Sequence, residues 1–298
     1  MKHGGRAHSK FSASGSERWT QCSASVEASE GQPDKTSVWA EEGTKAHELL
    51  EEMMLKLLSP NTAGAFVSAP RSEMYTHARD AAHFMLKKGA ELNAEVLVET
   101  RVYLDFIHPE MFGTFDGAVL DHFGTLHVFD FKYGAGHAVS AKENLQMIFY
   151  GLGLAAKYQW NFQTVRLWII QPRIKGYDGP TFWDITIDEL KAYVKVFRDA
   201  VWRVENKPEY KEGSWCYFCR AKSICPLKRE AKFEKAIEIF KTNPIGGNDG
   251  KEKIKIVSQG EIEIQEESLV KEKGLKSEAE WRKKAREGRS KKGVGNFY

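Results

Sequence analysis

The stretch 113–132, GTFDGAVLDHFGTLHVFDFK, holds two aspartates and a lysine at a spacing that a β-hairpin turns into one cluster. A three-residue loop of His122, Phe123 and Gly124, with Gly124 in the left-handed conformation such loops need, sets Asp121 opposite Thr125 and Asp116 opposite Asp130. Side chains alternate along a strand, so Asp116, Ala118 and Leu120 then share a face with Leu126, Val128, Asp130 and Lys132. That face is apolar at the turn end and carries two carboxylates and an amine at the other. Opposed residues have Cβ atoms roughly 5 Å apart, where like charges repel. A divalent cation shared by the two carboxylates offsets the repulsion, and Lys132 adds a further positive charge. A four-residue loop instead puts the aspartates on opposite faces and leaves a surface hairpin with solvated charges, so the register decides between the two.

The cysteines form a second pattern. Cys216, Cys219 and Cys225 follow C-x2-C-x5-C, and Cys22 lies far upstream. Three closely spaced thiols with a fourth from elsewhere make up a tetrahedral donor set, and four thiolates hold either zinc or an iron–sulfur cluster. The bland alternative is four unlinked buried or reactive cysteines. In a reducing compartment such clustering points to metal before disulfides.

Several elements must position these residues. The periodicity of Val38, Ala46, Leu49, Leu50, Met53, Met54 and Leu57 predicts a helix over 37–58, and a second is expected over about 72–90. Strands are expected over 96–104, within the hairpin 113–132, and over 164–172 and 182–187. Helices are expected over 143–158 and over 187–206, the latter opened by Asp188. After Pro226 a charged helix continues over 228–240, and 243–250 reads as a linker. Helices followed by a mixed sheet with a helix packed on it make an α/β core. The expected organisation is one domain over 1–230 and a charged extension over 231–298. Residues 246–251 superficially resemble a P-loop, but Ile245 stands where its first Gly belongs and Glu252 follows the lysine.

An aspartate followed at a distance by Asp-x-Lys, here Asp116 and Asp130-Phe131-Lys132, resembles the active site of the PD-(D/E)xK nucleases. The RecB-like branch of that superfamily, with its AddB-type iron–sulfur exonucleases, adds three signals that occur here in order. These are Gly43-Thr44-x-x-His47 on an upstream helix, Gln146-x-x-x-Tyr150 on a downstream one, and the split cysteine set. Residues four apart share a helix face, so Gln146 and Tyr150 point the same way. Taken singly, each is weak. His47-Glu48 also begins a zinc-protease pattern, but Glu51 stands where the second histidine is required.

The resemblance spans roughly 9–230. It implies an α/β core with a mixed central sheet flanked by helices and a four-cysteine cluster joining its N- and C-terminal parts. It implies that His47, Asp116, Asp130 and the carbonyl of Phe131 bind Mg²⁺ or Mn²⁺, that Lys132 positions or activates the attacking water, and that Gln146 and Tyr150 orient the DNA. Glu51 and Glu99 are candidates for outer carboxylates, but solvated or structural charges are the favoured reading of both. Cys22, Cys216, Cys219 and Cys225 would carry a 4Fe–4S cluster, with Zn²⁺ as the alternative. The implied activity is that of a DNA exonuclease serving recombination, repair or phage DNA processing. Its substrate would be DNA with free ends, and its partner a recombinase or single-strand-binding protein. An endonuclease and a non-catalytic DNA-binding or assembly protein that keeps the fold remain the rival readings.

Composition bounds the rest. A net charge of +3 over 298 residues is too mild to argue for nucleic acid by itself. A basic run of Arg282, Lys283, Lys284, Arg286, Arg289, Lys291 and Lys292 could contact phosphates, dock a partner or be solvated. No apolar run is long enough to cross a bilayer, and the first ten residues lack the apolar segment of a secretory signal. A cytoplasmic protein is expected.

Overall fold

A computed structural model of the protein describes residues 9–33, 38–59 and 72–242. Two short helices, α1 (Ser16–Gln21) and α2 (Ser25–Ser29), precede the long helices α3 (Val38–Leu58) and α4 (Glu73–Leu92). Then follow β1 (Glu95–Tyr103), β2 (Phe112–Leu120), β3 (Thr125–Phe131), α5 (Leu145–Lys157), β4 (Thr164–Ile170), β5 (Thr181–Thr186), α6 (Ile187–Asn206) and α7 (Pro226–Thr242). The five strands lie in sequence order in one sheet. Only β3 and β4 are parallel, because α5 carries the chain back across the face between them; the other neighbours are antiparallel. This is the mixed sheet flanked by helices that the sequence led us to expect. Among the described residues no helix is long and apolar enough to cross a membrane.

Each sheet face buries its own core. Ala118, Leu120, Leu126, Val128, Val165 and Leu167 pack with α1, α5 and α6 on one side. Val119, Phe129, Phe131, Trp168 and Ile170 pack with α3 and α4 on the other. In α3 the buried positions Ala46, Leu50, Met53 and Met54 recur at helical spacing, which fixes the face that His47 borders.

The hairpin register is the one the three-residue loop demands. Asp121 N–H donates to Thr125 O at 3.1 Å, Gly124 has φ +89°, and the β2–β3 ladder runs from Leu120 opposite Leu126 to Gly117 opposite Phe129. The next pair in that register is Asp116 and Asp130. There the regular pairing stops. The neighbouring register of β1 on β2 likewise skips Glu99, which lies opposite Asp116 and has φ +38°. A non-glycine residue held in the left-handed region inside a strand is strained. The distortion also turns the strands over. Val96 and Val98 pack towards α3 and α4 but Val102 towards α5. Phe115 joins the same α5 side as Ala118 instead of the opposite one. The strict alternation read from the sequence therefore fails at the aspartate where the chemistry was expected.

One further departure is local. Helix α6 is capped by Thr186, not Asp188: the Thr186 hydroxyl accepts from Glu189 N–H and Glu189 bonds back to the Thr186 N–H, a reciprocal cap. The last described element, α7, runs across positions 230 and 231. From 243 onward the extension, its basic run and the P-loop-like stretch lie outside the described residues.

Helix α5 seats on β1 through Gly153. A Cβ there would stand 2.7 Å from Val102 Cβ and 2.9 Å from its Cγ2. Gly153→Ala is expected to cost about 1–3 kcal/mol, because the clash is with a β-branched side chain held in a strand. Chemical denaturation would measure it; an unchanged midpoint would show that the helix shifts freely.

His127 is a second structural probe. It is buried, accepts a hydrogen bond from Trp168 Nε1 at 3.2 Å, and lies beside the rings of Phe129 and Trp168. Burial, and then the Arg166 charge, lower its pKa to about 4. The unfolded chain therefore binds a proton that the folded one refuses between about pH 6.5 and 4. Stability falls as pH drops through that window, by on the order of 2–3 kcal/mol from this residue. Comparing denaturation of the wild type and His127→Gln at pH 7 and pH 4.5 should show the smaller pH dependence in the variant.

Candidate active site

Seven residues singled out from the sequence meet beside the distorted part of the sheet. Asp116, at the end of the β2–β3 ladder, uses both carboxylate oxygens. His47 Nδ1 on α3 donates to Oδ1 at 2.8 Å, and the Phe131 N–H donates to Oδ2 at 2.7 Å. The second bond takes the backbone donor that a continued ladder would have used. It is the Phe131 N–H, on this geometry, that touches the carboxylate. Asp130 Oδ1 accepts from Gln146 Nε2 at 3.0 Å, and Lys132 Nζ stands 2.9 Å from Asp130 Oδ2 as an ion pair. Lys132 Nζ also donates to Gln146 Oε1 at 2.8 Å, and Gln146 Nε2 donates to the Tyr150 hydroxyl at 3.0 Å.

Gln146 is thus the hub of the arrangement. It occupies the first turn of α5, where the Asn144 side chain accepts its N–H at 3.0 Å and that of Met147 at 3.2 Å. Such a cap is worth about 1 kcal/mol, and here it also fixes where the Gln146 amide begins.

Burial and charge drive the two aspartates apart. Asp116 and Asp130 are 8% and 3% exposed. Burial opposes ionisation of Asp116, but the charge and hydrogen bond of His47, with the Phe131 N–H, outweigh it and hold the carboxyl below its ordinary range. Burial pushes Asp130 up; Lys132 pulls against it and Asp116 adds to it, and the group stays above its ordinary value. Desolvation works against a charge on His47, yet Asp116 beside it raises its pKa. Tyr150 is pushed well up by burial and then by Asp130. Two adjacent carboxyls with opposed shifts are the signature of a site built to manage charge.

The donor set suits a divalent cation: two buried carboxylates and an imidazole, with Asp130 Oδ2 buried and lacking a directed hydrogen bond. Within this donor set His47 and Asp116 bond each other. Among the described residues no three His, Cys, Asp or Glu side chains are arranged ready to hold a metal ion. Of the outer carboxylates, Glu99 lies opposite Asp116 and acts on Tyr150 electrostatically.

The sequence reading missed the brace on α3. Arg173 Nη1 donates to Glu42 Oε2 at 2.8 Å, and its guanidinium lies 4.6 Å from the centre of the Tyr133 ring. This ties the helix that carries His47 to the segment after β4. The partners are 131 positions apart, and no local pattern announces such a pair.

The four cysteines, none of them in a disulfide, line one small pocket between the α1–α2 segment and 210–228. Lys211 N–H donates to Cys22 Sγ at 3.4 Å, and burial, with Cys219 and Cys216 nearby, raises the Cys22 pKa. The two chain segments are joined by Ala24 N–H to Glu209 O at 3.1 Å and Glu209 N–H to Ser23 Oγ at 2.8 Å. The N- and C-terminal segments thus meet at the pocket that the four cysteines line.

Among solved structures, the chain is similar to a candidate exonuclease from Eubacterium rectale, at 10% identity over 74% of this chain and 87% of that one, with a TM-score of 0.40. It is also similar to LHK-Exo, an alkaline exonuclease from Laribacter hongkongensis, at 14% identity over 63% of this chain and 92% of that one, with a TM-score of 0.27. Superpositions this loose leave the reading of the site to its own geometry. The sequence itself matches a family profile over residues 8–292, and the chain belongs to that family, DUF2800, described as proteins of unknown function.

Proposed function

We propose that the protein is a metal-dependent deoxyribonuclease of the PD-(D/E)xK kind, acting as an exonuclease on DNA with free ends. The observation that carries this reading is the pair of buried, adjacent carboxylates, Asp116 and Asp130, with Lys132 and Gln146 bonded around them. A DNA-binding surface has no use for two carboxylates withdrawn from water, and burying them costs stability.

In this reading His47, Asp116, Asp130 and the Phe131 carbonyl hold Mg²⁺ or Mn²⁺. When bound, the cation supplies Lewis-acid polarisation of the phosphodiester and lowers the pKa of water. Lys132 Nζ, steadied by Gln146 Oε1, donates a hydrogen bond that orients the attacking water. Gln146 and Tyr150, bonded to each other, orient the DNA. Hydrolysis forms a bond from the water oxygen to phosphorus and breaks one ester P–O bond, with the departing oxygen taking up a proton. The exonuclease assignment, a role in recombination, repair or phage DNA processing, and a recombinase or single-strand-binding partner rest on the motif resemblance.

One observation favours a second reading, a DNA-binding or assembly protein that retains the fold: His47 and Asp116 satisfy each other's polar atoms at 2.8 Å. Incubating end-labelled linear DNA and closed circular DNA with Mn²⁺, Mg²⁺ or EDTA separates the possibilities. Loss of the linear form alone, and only with metal, supports the exonuclease. Cutting of the circle makes it an endonuclease, and binding without cleavage under every condition favours the scaffold.

We also propose that Cys22, Cys216, Cys219 and Cys225 hold a 4Fe–4S cluster, with Zn²⁺ as the alternative, supported by the common pocket they line. Protein purified without oxygen is expected to be brown with iron and sulfide bound. A colourless protein with one zinc selects the alternative, and a metal-free protein refutes both.

A further inference from the structure

The loop that carries the cysteine motif displays two large aromatic rings to water. Tyr217 and Phe218, between Cys216 and Cys219, are 63% and 75% exposed, with ring centroids 4.7 Å apart at 80°. Exposed apolar rings gathered at one place are uncommon on a surface without a partner. The nuclease reading assigns them nothing.

Their surroundings say what kind of partner fits. Lys222 Nζ lies 5.5 Å from the centre of the Tyr217 ring, and Arg18 Nη1 donates to the Phe218 carbonyl at 3.4 Å. The His137 ring meets Tyr217 edge-on at 5.6 Å. Rings flanked by cations attract a chain that carries both flat apolar faces and negative charge.

The rings are also tied to the carboxylate cluster. His137 belongs to the loop that leaves β3 after Lys132, five residues on, so no more than about 18 Å of chain separates them. The loop is held by the buried side chain of Gln171, which follows β4. Gln171 Nε2 donates to Gly134 O at 2.9 Å and His137 O at 2.8 Å, and its Oε1 accepts from Val139 N–H at 2.8 Å. The strand end that carries Lys132, the loop and the aromatic pair are therefore one connected structure.

We propose that Tyr217 and Phe218, with His137, form a stacking platform for unpaired bases of a single DNA strand on its way to the carboxylate cluster. The proposal rests on the nuclease reading for its direction but not for its test. A duplex keeps its base faces stacked inside, whereas an unpaired strand offers each face to a ring. The cations beside the rings meet the phosphates.

The test is binding of a fluorescent oligothymidylate and of a blunt duplex, with no divalent cation added. Wild type is compared with the double variant Tyr217→Ala/Phe218→Ala and with Tyr217→Phe/Phe218→Tyr, which keeps both rings. The alanine variant is expected to bind the single strand about ten- to a hundredfold more weakly and the duplex unchanged. The ring-retaining variant should bind like wild type, and an abasic strand should bind wild type as poorly as thymidylate binds the alanine variant. Equal affinities for the single strand in all three proteins overturn the platform, as does an equal loss on the duplex or no affinity of wild type for single strands. Because no hydrolysis is read, the result is independent of whether the protein cuts DNA.

Discussion

Replacing Asp130 with asparagine is expected to abolish cleavage while leaving the protein folded and, in EDTA, at least as stable. The two effects have opposite signs for one physical reason. Asp130 is 3% exposed beside Asp116, and burial first, then the Asp116 charge, keep its pKa above the ordinary carboxyl value against the pull of Lys132. A carboxyl whose folded-state pKa is raised costs stability once pH passes its unfolded value, since the unfolded chain ionises more readily. At neutral pH the neutral isostere removes that cost. Its side-chain oxygen can still accept from Gln146 Nε2, and Lys132 Nζ keeps Gln146 Oε1. As a proposed metal ligand, however, the amide has lost the charge the cation needs, and turnover should fall by about three orders of magnitude or more. Melting in EDTA and cleavage with Mn²⁺ read the two effects separately. A variant that melts well below wild type would mean that the Lys132 ion pair outweighs the burial of the carboxylate.

Gln146→Leu is expected to damage both properties together. Its amide serves Asp130, Lys132 and Tyr150 at once, at 3.0, 2.8 and 3.0 Å. Leucine has a similar volume and answers none of them. Each buried polar group left alone costs about 1–3 kcal/mol, and Lys132 retains Asp130, so a loss of about 2–4 kcal/mol is expected. Cleavage should fall about a hundredfold, because Lys132 and Asp130 lose their fixed geometry. The Mn²⁺ dependence should shift to higher concentration, which a merely structural defect would not produce. Normal metal dependence with reduced stability would remove Gln146 from the site and leave it as packing.

Much of the element order was legible because apolar periodicity and turn chemistry agreed. The hairpin is the clearest case: Gly124 supplies the left-handed residue of a three-residue loop, and that fixes every pair up to Gly117 and Phe129. The cap of α6 is equally legible as Thr186-x-x-Glu189, a stronger signal than Asp188 two positions on. The strand reversal at Asp116 was not readable. It goes with Glu99 adopting φ +38°, a conformation that glutamate does not favour. At the site, His47, Asp116, Asp130, Lys132, Gln146 and Tyr150 could be named in advance. The bonds among them could not, since Gln146 meets Asp130 across 16 positions and His47 meets Asp116 across 69. Those bonds follow from how α3 and α5 seat on opposite faces of the sheet, which no local spacing encodes.

The central claim is that the buried carboxylate pair holds a divalent cation, and a Mn²⁺ titration followed by thermal melting tests it most directly, with wild type beside Asp130→Asn. Binding to the folded state alone stabilises by about 2.7 kcal/mol at a hundred times the dissociation constant. For a unit of this size that is about 5–10 °C. The account predicts a melting temperature that climbs with Mn²⁺ in wild type and stays flat in the variant. A wild type indifferent to Mn²⁺, or a variant that rises equally, would contradict it.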